Sequence, residues 1–377
     1  MRIAEIKAFP ISVRLDDGAH LAIGRAVKRD SVVVRVTTED GLVGYGESHH
    51  ARSPAVIAQI VNTTLQTIVL PASADDVVGI WSKIYQWQLR SHGMGAATAM
   101  AMSGVDMALW DIRGKAVGWP LYRLLGGSAR PVRAYAGGVS LGFQEPGALV
   151  DEVHPLIEQG YRAVKLRVGD DPRRDIARVH AVRKAFGEDL TILVDANTGY
   201  SVEDVRIVMP PFEAARVAWL EEPFAPHDHR SYAQASTFGH IPLAAGENHY
   251  TRFEFTRVIE DKAISILQPD LSKAGGVTET MRIAAMASGW KLPICPHSSM
   301  TGLNMAATIH LLMAIDNGGY FEADVSRSNS FRDQLTSSPY RLLPDGTVET
   351  SSRPGIGLDF DEAFVEAHPF IPGPNFV

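Results

Sequence analysis

Short apolar runs, each followed by a charged or polar residue, recur through the second half of the chain. From residue 132 onward, eight such runs alternate with stretches in which apolar residues recur at helical spacing, most clearly over 148–159, 175–185 and 302–314. The eight runs are 133–137, 163–168, 191–195, 217–221, 243–247, 265–270, 292–297 and 319–322. Nearly continuous apolar runs are typical of parallel strands buried on both faces. Eight strand–helix alternations over about 200 residues predict a (β/α)8 barrel.

The first third of the chain follows another pattern. Residues 3–8 alternate between apolar and polar positions, and apolar runs follow at 32–36 and 42–46 with an Asp40-Gly41 turn signal between them. This indicates an antiparallel meander. Residues 54–127 have helical periodicity and end at paired glycines, whereas 16–30 and 48–52 are polar and predict loops. The pattern therefore predicts an α+β domain over 1–127.

A third segment follows the predicted barrel. We place the barrel at residues 128–342 and a tail rich in proline and glycine at 343–377, with a short strand pattern at 355–358. We expect this tail to pack back on the first domain and complete it.

Composition narrows the classes of protein. The 377 residues are 45% hydrophobic and 21% charged, with a formal net charge of −7, which argues against nucleic acid as a partner. The single cysteine, Cys295, excludes an internal disulfide framework and suits a reducing compartment. The N-terminus lacks the apolar core of a signal peptide, and no run is long enough to span a membrane. We therefore expect a cytoplasmic protein with no membrane partner.

Three successive strand-like runs end in carboxylates: Asp195, Glu221 and Glu247. The carboxyl ends of the strands of such a barrel meet at one face, where catalytic residues lie. Oxygen ligands in a cluster of this kind suit a hard cation. The pattern predicts one Mg²⁺ per subunit, and the shared position makes a purely structural ion-pair role less favourable.

The other strand ends also carry ionisable residues. Lys165 and Arg167 alternate so that both face the barrel interior, while Asp270, His297 and Glu322 end the sixth, seventh and eighth runs. Charges are rare inside barrels unless they are paired or bind a ligand. The set therefore predicts an active site, although a single residue of it would more often be structural.

These motifs, in their order and spacing, make the chain resemble the mandelate racemase branch of the enolase superfamily over nearly its full length. The resembling pieces are SGVDMALWDIRG at 103–114, KLR at 165–167, VDAN at 194–197, LEEP at 220–223, GEN at 246–248, QPD at 268–270 with KAGG at 273–276, and PH at 296–297. The resemblance implies a barrel closed by a lid, which the first domain forms with the loops at 16–30 and 48–52. It also implies a homo-oligomer.

The resemblance further implies particular roles. Asp195, Glu221 and Glu247 would bind Mg²⁺, His297 and Asp270 would act as an acid/base dyad, and Glu322 would donate a hydrogen bond to a substrate carboxylate. The substrate would be a small carboxylic acid whose α proton is removed. Magnesium would neutralise the enediolate that forms, and a 3-hydroxyl group could then leave as water.

Arg167 departs from the pattern of the racemases. Those enzymes carry a second lysine at this position as the base on the opposite face of the substrate, whereas a guanidinium group stays protonated and suits two-point binding of a carboxylate. One-base chemistry through His297 is therefore favoured, and we expect a Mg²⁺-dependent acid-sugar dehydratase. A racemase or epimerase and a sugar-lactone cycloisomerase remain alternatives. A metal-dependent hydrolase barrel is disfavoured because residues 135–138, at the end of the first strand, lack a His-x-His motif, and the full set of ligands, dyad and Glu322 argues against a non-catalytic scaffold.

Weaker candidates surround this set. Asn197 and His249 each lie two residues beyond a predicted metal ligand, and His20 and Arg25 lie in the predicted lid, so all four are candidates for substrate binding. For the lid residues as a group, which also include Lys28, His49 and His50, the ordinary interpretation is a solvated loop side chain. Glu222 is more typical of a residue that supports the metal ligands than of a ligand.

Overall fold

The computed structural model describes residues 1–91, 93 and 95–377. In the first domain the strands are β1 Ile3–Arg14, β2 His20–Leu21, β3 Gly24–Arg25, β4 Lys28–Thr38 and β5 Val43–Ser48. The α-helices are α1 Pro54–Gln59, α2 Gln66–Val69, α3 Val77–Ile84, α4 Ala96–Val117 and α5 Leu121–Leu124, and π-helical segments span Ile60–Leu65 and Tyr85–Leu89.

The predicted meander is confirmed. Its antiparallel sheet has the order β1-β4-β5, and Gly41 turns between β4 and β5 with a φ of 86°, which glycine adopts at little cost. The helical prediction over 54–127 is also confirmed in its main parts. The portion of it at His92 and Met94 lies outside the described residues.

The prediction of a loop over 16–30 is wrong in part. β2 and β3 pair as a short hairpin, His20 opposite Arg25, and β4 begins four residues before the apolar run that revealed it. Lys28, Arg29 and Asp30 lie in this strand and are buried: the C-terminal segment contacts Lys28 and Asp30, and the barrel contacts Arg29. Because these three residues are charged, the apolar pattern of the sequence did not reveal the first part of β4.

The second domain alternates strands and helices as predicted. Its strands are β6 Val132–Gly137, β7 Ala163–Arg167, β8 Thr191–Asp195, β9 Val217–Glu221, β10 Leu243–Ala245, β11 Ile266–Leu267 and β12 Phe321–Asp324. Its helices are α6 Pro146–Gln159, α7 Pro172–Phe186, α8 Val202–Ala214, α9 His229–Ala235, α10 Thr251–Asp261, α11 Gly276–Gly289, α12 Gly302–Ala314 and α13 Ser330–Asp333.

The parallel strands follow one another from β6 to β11, and β12 pairs with β6. Parallel bridges lead from Leu267 of β11 to Ile294 and from Ile294 to Gly318, just before β12. The predicted seventh strand is thus reduced to a single bridged residue. Proline has no N–H to donate to a ladder, and Pro293 and Pro296 flank Ile294.

Beyond the barrel, the chain forms a hairpin and then a tail. β13 Arg341–Leu342 and β14 Thr347–Glu349 pair antiparallel, and β14 extends the barrel sheet beside β6. The short strand predicted at 355–358 is wrong, since only Gly355 makes a bridge, to Pro120. A last helix, α14, spans Glu362–Ala367.

The tail returns to the first domain. Bridges join Pro369 to Ile11 and Phe376 to Ala26, so the tail borders the β2–β3 hairpin. A buried carboxylate, Asp30, accepts hydrogen bonds from Ser12 Oγ (2.6 Å), Lys28 Nζ (2.9 Å) and Asn375 Nδ2 (2.8 Å). Because an unpaired buried carboxylate is costly, this network ties the tail to the lid.

The first domain sits on the barrel through buried polar contacts. Arg29 Nη1 lies 3.0 Å from Asp324 Oδ2 at the end of β12, and both side chains are buried. At the next strand, Glu47 accepts hydrogen bonds from the backbone N–H and hydroxyl of Thr301, the N-cap of α12. Burial raises the pKa of Glu47 to about 7. These contacts set the position of the lid loops over the carboxyl ends of the barrel strands.

The SGVDMALWDIRG motif lies in helix α4, which is buried in the protein. Sixteen of its residues are buried, because it packs between β5 on one side and α11 of the barrel on the other. A helix buried on all sides has no single polar face. Among the residues that the structure describes, none of the helices is both long and apolar enough to cross a lipid bilayer.

Candidate active site

Three carboxylates lie at the ends of three neighbouring strands, as the sequence predicts. Asp195 ends β8 directly opposite Glu221 at the end of β9, and Glu247 follows β10, whose Ala244 pairs with Glu221. Asp195 and Glu221 are buried, and Glu247 is partly exposed. The parallel register of the barrel therefore brings them to one mouth.

Lys165 lies among these carboxylates. Its Nζ is 2.7 Å from Glu221 Oε1, 3.0 Å from Glu322 Oε1 and 3.4 Å from Asp195 Oδ2, and its side chain is fully buried. Burial opposes the charge, but Glu221 and Glu322 outweigh it and raise the pKa of Lys165 well above its usual range. The lysine is therefore a fixed cation here, with every neighbour an acceptor.

Arg167 projects from the same side of β7, as the alternation predicts. Its guanidinium group contacts Asp195 and the carbonyl of Gly138, and its Nη1 donates to Asn197 Oδ1 at 3.1 Å. Burial lowers its affinity for a proton, yet Asp195 and Glu322 raise the pKa of Arg167 above its usual value. A guanidinium group in this setting cannot serve as a base.

The predicted dyad is formed. His297 Nδ1 and Asp270 Oδ2 are 2.6 Å apart, and Asp270 is held at its other oxygen by Ser272 (N–H 2.7 Å, hydroxyl 2.6 Å) and Asn304 Nδ2 (3.0 Å). This arrangement fixes the imidazole ring and leaves its Nε2 for other partners.

Nε2 of His297 faces the carboxylate cluster. It lies 3.0 Å from Glu247 Oε2 and 3.2 Å from Ser299 Oγ, and 4.0 Å from Glu322 Oε2. Burial disfavours the imidazolium, but Glu247 and Glu322 raise the pKa of His297 well above its usual range. Separation of His297 from Glu247 would remove part of this stabilisation and lower the pKa of the imidazolium ion.

Glu322 lies at the centre of the cluster, between Lys165 and His297. Its Oε1 accepts from Gly138 N–H and its Oε2 from Ser298 N–H, both at 3.1 Å. Burial raises its pKa, but Lys165 and His297 more than offset this and lower the pKa of Glu322 to about 2. It accepts hydrogen bonds from the protein in this structure, and its role as a donor to a substrate carboxylate stays a prediction.

The site holds more carboxylates than cations. Six carboxylates face three permanent cations and one histidine: Asp195, Glu221, Glu222, Glu247, Asp270 and Glu322 against Lys165, Arg167, Lys273 and His297. Burial and the neighbouring carboxylates Asp195 and Glu322 raise the pKa of Glu221 to about 7 despite Lys165. Such an excess of buried negative charge is what a divalent cation would relieve.

The three predicted ligands fit a hard cation in their chemistry, since each supplies carboxylate oxygens. Within the described residues, however, no three carboxylate, imidazole or thiol groups already converge as a metal cage. Lys165 occupies the space between Asp195 and Glu221, while Glu247 contacts His297 and, at 3.5 Å, Lys273. Metal binding would exchange these protein cations for the ion.

A cavity of about 440 Å³ opens above this cluster. Barrel residues that line it include Arg167, Asn197, Glu247, Lys273 and His297, and lid residues that line it include Leu21, Ile23, His49, His50 and Arg52. The C-terminal segment contributes Phe376, whose ring lies 5.4 Å from the Arg52 guanidinium carbon. The volume suits a small polar molecule.

Three predicted substrate contacts lie outside this cavity lining. His20 is exposed and lines a separate cavity of about 230 Å³ with Ser140 and Ser326, and Arg25 lies opposite it in the hairpin. His249 is buried with its ring 5.9 Å from that of Phe255, and burial lowers its pKa to about 4. Their part in substrate binding stays a prediction, whereas Asn197 does reach the cavity.

Several cavity residues escaped the sequence analysis. Lys273 follows the QPD motif and is buried beside Glu247, and its KAGG context was the available signal. His50, which lines the cavity, and Lys28, which does not, are both buried, so the interpretation of them as solvated loop side chains is wrong. Phe376 gave no local signal, because it reaches the cavity only through long-range pairing with the lid.

Glu222 supports the cluster as expected. It is buried beneath Asn248, whose Nδ2 donates to Glu222 Oε2 at 2.9 Å and to Glu247 Oε1 at 3.2 Å. Burial and Glu247 raise the pKa of Glu222 well above its usual range. The amide therefore couples the two carboxylates and orients Glu247.

Two family models match the chain. Residues 3–126 match the N-terminal domain of mandelate racemase and muconate lactonizing enzyme, and residues 148–364 match the enolase C-terminal domain-like model.

Known enzymes resemble the chain along most of its length. It is 32% identical over 339 residues to an arabinonate dehydratase of Saccharolobus solfataricus, a match that covers 89% of this chain and 90% of that enzyme. It is 32% identical over 349 residues to a D-galactonate dehydratase of Verminephrobacter eiseniae, covering 88% and 89%. A D-galactarolactone cycloisomerase of Agrobacterium fabrum is 31% identical over 374 residues, covering 96% and 97%.

Solved structures agree with these matches. A member of the enolase superfamily from Polaromonas sp. JS666 superposes with a TM-score of 0.98 at 49% identity, with both chains covered completely. A racemase from Streptomyces coelicolor with bound magnesium superposes with a TM-score of 0.89 at 27% identity, covering 98% of this chain and 100% of that one. The predicted capping domain and barrel are thereby confirmed. The chain belongs to the mandelate racemase/muconate lactonizing enzyme family of the enolase superfamily.

Proposed function

We propose that the protein is a Mg²⁺-dependent acid-sugar dehydratase that works through one base. The observation that carries this proposal is the asymmetry of the site: a His297–Asp270 dyad faces the carboxylate cluster, while the position across from it holds an arginine paired with Asp195. A second base for racemisation would have to be deprotonated at neutral pH, and Arg167 is not.

Asp195, Glu221 and Glu247 would hold the metal ion. When bound, Mg²⁺ would neutralise the charge that develops on the substrate carboxylate as the α proton leaves. Arg167, which already lines the cavity, would grip a carboxylate oxygen, and Lys165 would balance the charge of Glu221 and Glu322 beneath it. These groups are fixed before the reaction, so no reorganisation is needed as charge develops.

His297 would move the protons. In the structure Glu247 and Glu322 favour the protonated imidazole, and binding of Glu247 to the metal ion would withdraw the nearer of these carboxylates from Nε2. The deprotonated Nε2 would then take the α proton, and the electrons of that C–H bond would form the enediolate. Collapse of the enediolate would break the C–O bond at the β carbon, and the proton on Nε2 would convert the departing hydroxide into water. The remaining enol would tautomerise to a 2-keto-3-deoxy acid, so that one imidazole serves as base and then as acid.

The substrate class follows from the cavity and the relatives. The cavity offers a cationic side for a carboxylate and polar lid groups for the rest of the molecule. Two of the relatives act on arabinonate and D-galactonate according to their names. We therefore propose a five- or six-carbon sugar acid as substrate.

A variant of the dyad tests the proposal. His297→Asn should abolish both product formation and exchange of the α proton with D₂O, because the proposal assigns removal of that proton to His297 Nε2. Asp270→Asn should reduce turnover more than it changes KM. Asparagine has the shape of aspartate, but without the carboxylate it no longer holds the His297 ring in the required tautomer and orientation. His154, which is exposed on α6, provides the matched control, and His154→Asn should leave turnover unchanged. Turnover of His297→Asn at the wild-type rate would overturn the mechanism.

A cycloisomerase is the second candidate. The match to D-galactarolactone cycloisomerase covers 96% of this chain and 97% of that enzyme, and the reaction of a lactone can also proceed with one base. Parallel samples with Mg²⁺, one containing the lactone and one the free acid, distinguish the two reactions. A cycloisomerase consumes the lactone, whereas a dehydratase consumes the free acid. A homo-oligomer and a cytoplasmic location stay predictions.

A further inference from the structure

Two adjacent histidines of the lid, His49 and His50, line the cavity at the end of β5. Their rings stack with centroids 4.1 Å apart and an angle of 29° between the planes. The backbone N–H of His49 donates to Ser272 O at 3.0 Å, and Ser272 in turn holds Asp270. The pair is thus fixed relative to the dyad.

A backbone turn fixes how each ring is protonated. The N–H of Ala51 donates to His49 Nδ1 at 3.1 Å, and the N–H of Arg52 donates to His50 Nδ1 at 3.0 Å. A ring nitrogen that accepts a hydrogen bond carries no proton, so each neutral ring must carry its proton on Nε2. An imidazolium ion has no acceptor nitrogen, so in either ring its Nδ1–H would point at the backbone N–H that donates to it in this structure.

The turn itself is strained. Ala51 and Arg52 have φ values of 48° and 55°, in the left-handed region that residues other than glycine seldom adopt. Two such residues in succession are energetically costly, and strain of this kind concentrates at functional sites. Here the strain is what aims the two N–H groups back at the two rings.

The surroundings also favour neutral rings. Burial, with the nearby charges of Lys273 and Arg52, lowers the pKa of His50 to about 3, and burial lowers the pKa of His49 as well. Neither Nε2 has a hydrogen-bond partner among the residues that the structure describes. Because Nδ1 of each ring faces the backbone of the turn and both residues line the cavity, Nε2–H is the donor that each neutral ring has left for a ligand.

A hydroxylated acid needs donors of this kind. Arg167 and Lys273 already supply positive charge for a carboxylate. Hydroxyl oxygens are better matched by neutral donors, and a buried donor left unpaired is costly, so a site built this way discriminates against ligands that lack the oxygen.

We propose that His49 and His50 are specificity-determining residues that donate Nε2–H hydrogen bonds to hydroxyl oxygens of the bound acid. The inference rests on the proposed function only for the identity of the ligand. The protonation of the two rings can be measured without any substrate.

The first arm of the test is NMR spectroscopy of the full-length protein labelled with ¹⁵N-histidine, with His49→Gln and His50→Gln used for assignment. Long-range ¹H–¹⁵N correlations distinguish the two neutral tautomers from the imidazolium ion. Between about pH 6 and pH 8, where an ordinary histidine titrates, both rings should stay neutral with the proton on Nε2. A proton on Nδ1, or titration of either ring in this range, would overturn the inference.

The second arm is calorimetric binding of D-galactonate and of its deoxy analogues to the Mg²⁺-loaded protein. Glutamine places an N–H close to the position of Nε2, whereas leucine has a similar size and no donor. His49→Leu and His50→Leu should each weaken D-galactonate binding about ten- to a hundredfold, and each glutamine variant should restore most of the loss. The deoxy analogue that lacks the contacted hydroxyl should bind wild type and the leucine variant alike.

The outcomes separate the two proposals. Equal D-galactonate binding by the wild type and the leucine variants would overturn the role of the pair while leaving the dehydratase proposal intact. Failure of the wild type to bind D-galactonate or any other sugar acid, with the Nε2–H pattern present, would overturn the proposed substrate class and the ligand assigned to the pair.

Discussion

Replacement of Arg29 should destabilise the protein strongly, because this residue fastens the lid sheet to the barrel. Its guanidinium group lies 3.0 Å from Asp324 and donates to the carbonyl of Ser299 (2.9 Å) and the hydroxyl of Ser326 (2.6 Å). Arg29→Met keeps the aliphatic stem and removes all three contacts. Asp324 then loses its nearest cation and keeps only the more distant Arg332, whose Nη1 lies 3.9 Å from Asp324 Oδ1.

Removal of one partner of a buried ion pair costs about 3–5 kcal/mol. Asp324 retains hydrogen bonds from Ser326 N–H (2.8 Å) and Asn329 Nδ2 (3.2 Å), so the loss should be near the lower bound, about 3 kcal/mol. Urea-induced unfolding measures this loss. Arg206→Met provides the control: Arg206 pairs with Glu203 at 3.2 Å on the surface and should cost less than about 1 kcal/mol.

A double-mutant cycle tests the cause of the loss. Arg29→Met combined with Asp324→Asn leaves no buried charge unpaired, so the double variant should be more stable than the sum of the single losses predicts, by about 1–3 kcal/mol. The reasoning is refuted if Arg29→Met is as mild as the Arg206 control, or if the two single losses simply add.

Three further outcomes are expected. Burial raises the pKa of Asp106 from 3.8 to about 7, so between about pH 4 and pH 7 the folded protein keeps a proton on Asp106 that the unfolded chain releases. The free energy of unfolding of the wild type should therefore fall as the pH rises through this range, by on the order of 4 kcal/mol relative to Asp106→Asn, as measured by urea unfolding. Equal pH dependence of the two proteins would contradict this. Asp30→Ala should free the tail and leave Lys28 unpaired, and hydrogen exchange should accelerate at Val27 and Val377, whose amides pair tail and hairpin; unchanged exchange would contradict the network. Phe376→Ala should enlarge the cavity and raise KM more than it lowers kcat in steady-state assays, whereas an unchanged KM would exclude contact with substrate.

Local patterns were enough to predict the barrel mouth. Asp195 and Glu221 end strands with the predicted bounds, and alternation alone placed Lys165 and Arg167 on the side that meets Asp195. Strand ends and side-chain alternation depend only on neighbouring residues, which is why they are legible in one sequence. The roles of these residues remain predictions that the experiments above address.

Other features depend on distant parts of the chain and could not be predicted. Phe376 reaches the cavity through pairing with Ala26, some 350 positions earlier, and His50 is buried only because the lid and barrel close around it. The shortened seventh strand has a local cause in Pro293 and Pro296, which the apolar pattern concealed. The charge state of Glu322 also depends on three-dimensional neighbours, Lys165 above all.

The central claim is that one imidazole removes the α proton of a sugar acid and then releases its β-hydroxyl group as water. The most direct measurement is incubation of the Mg²⁺-loaded protein with a panel of aldonic and aldaric acids and their lactones, with detection of 2-keto-3-deoxy acids by semicarbazide. The account predicts such a product from at least one free acid, and none from the same acid with His297→Asn. Absence of the product from every free acid, accompanied by conversion of a lactone or by exchange of an α proton into D₂O without loss of water, would contradict it.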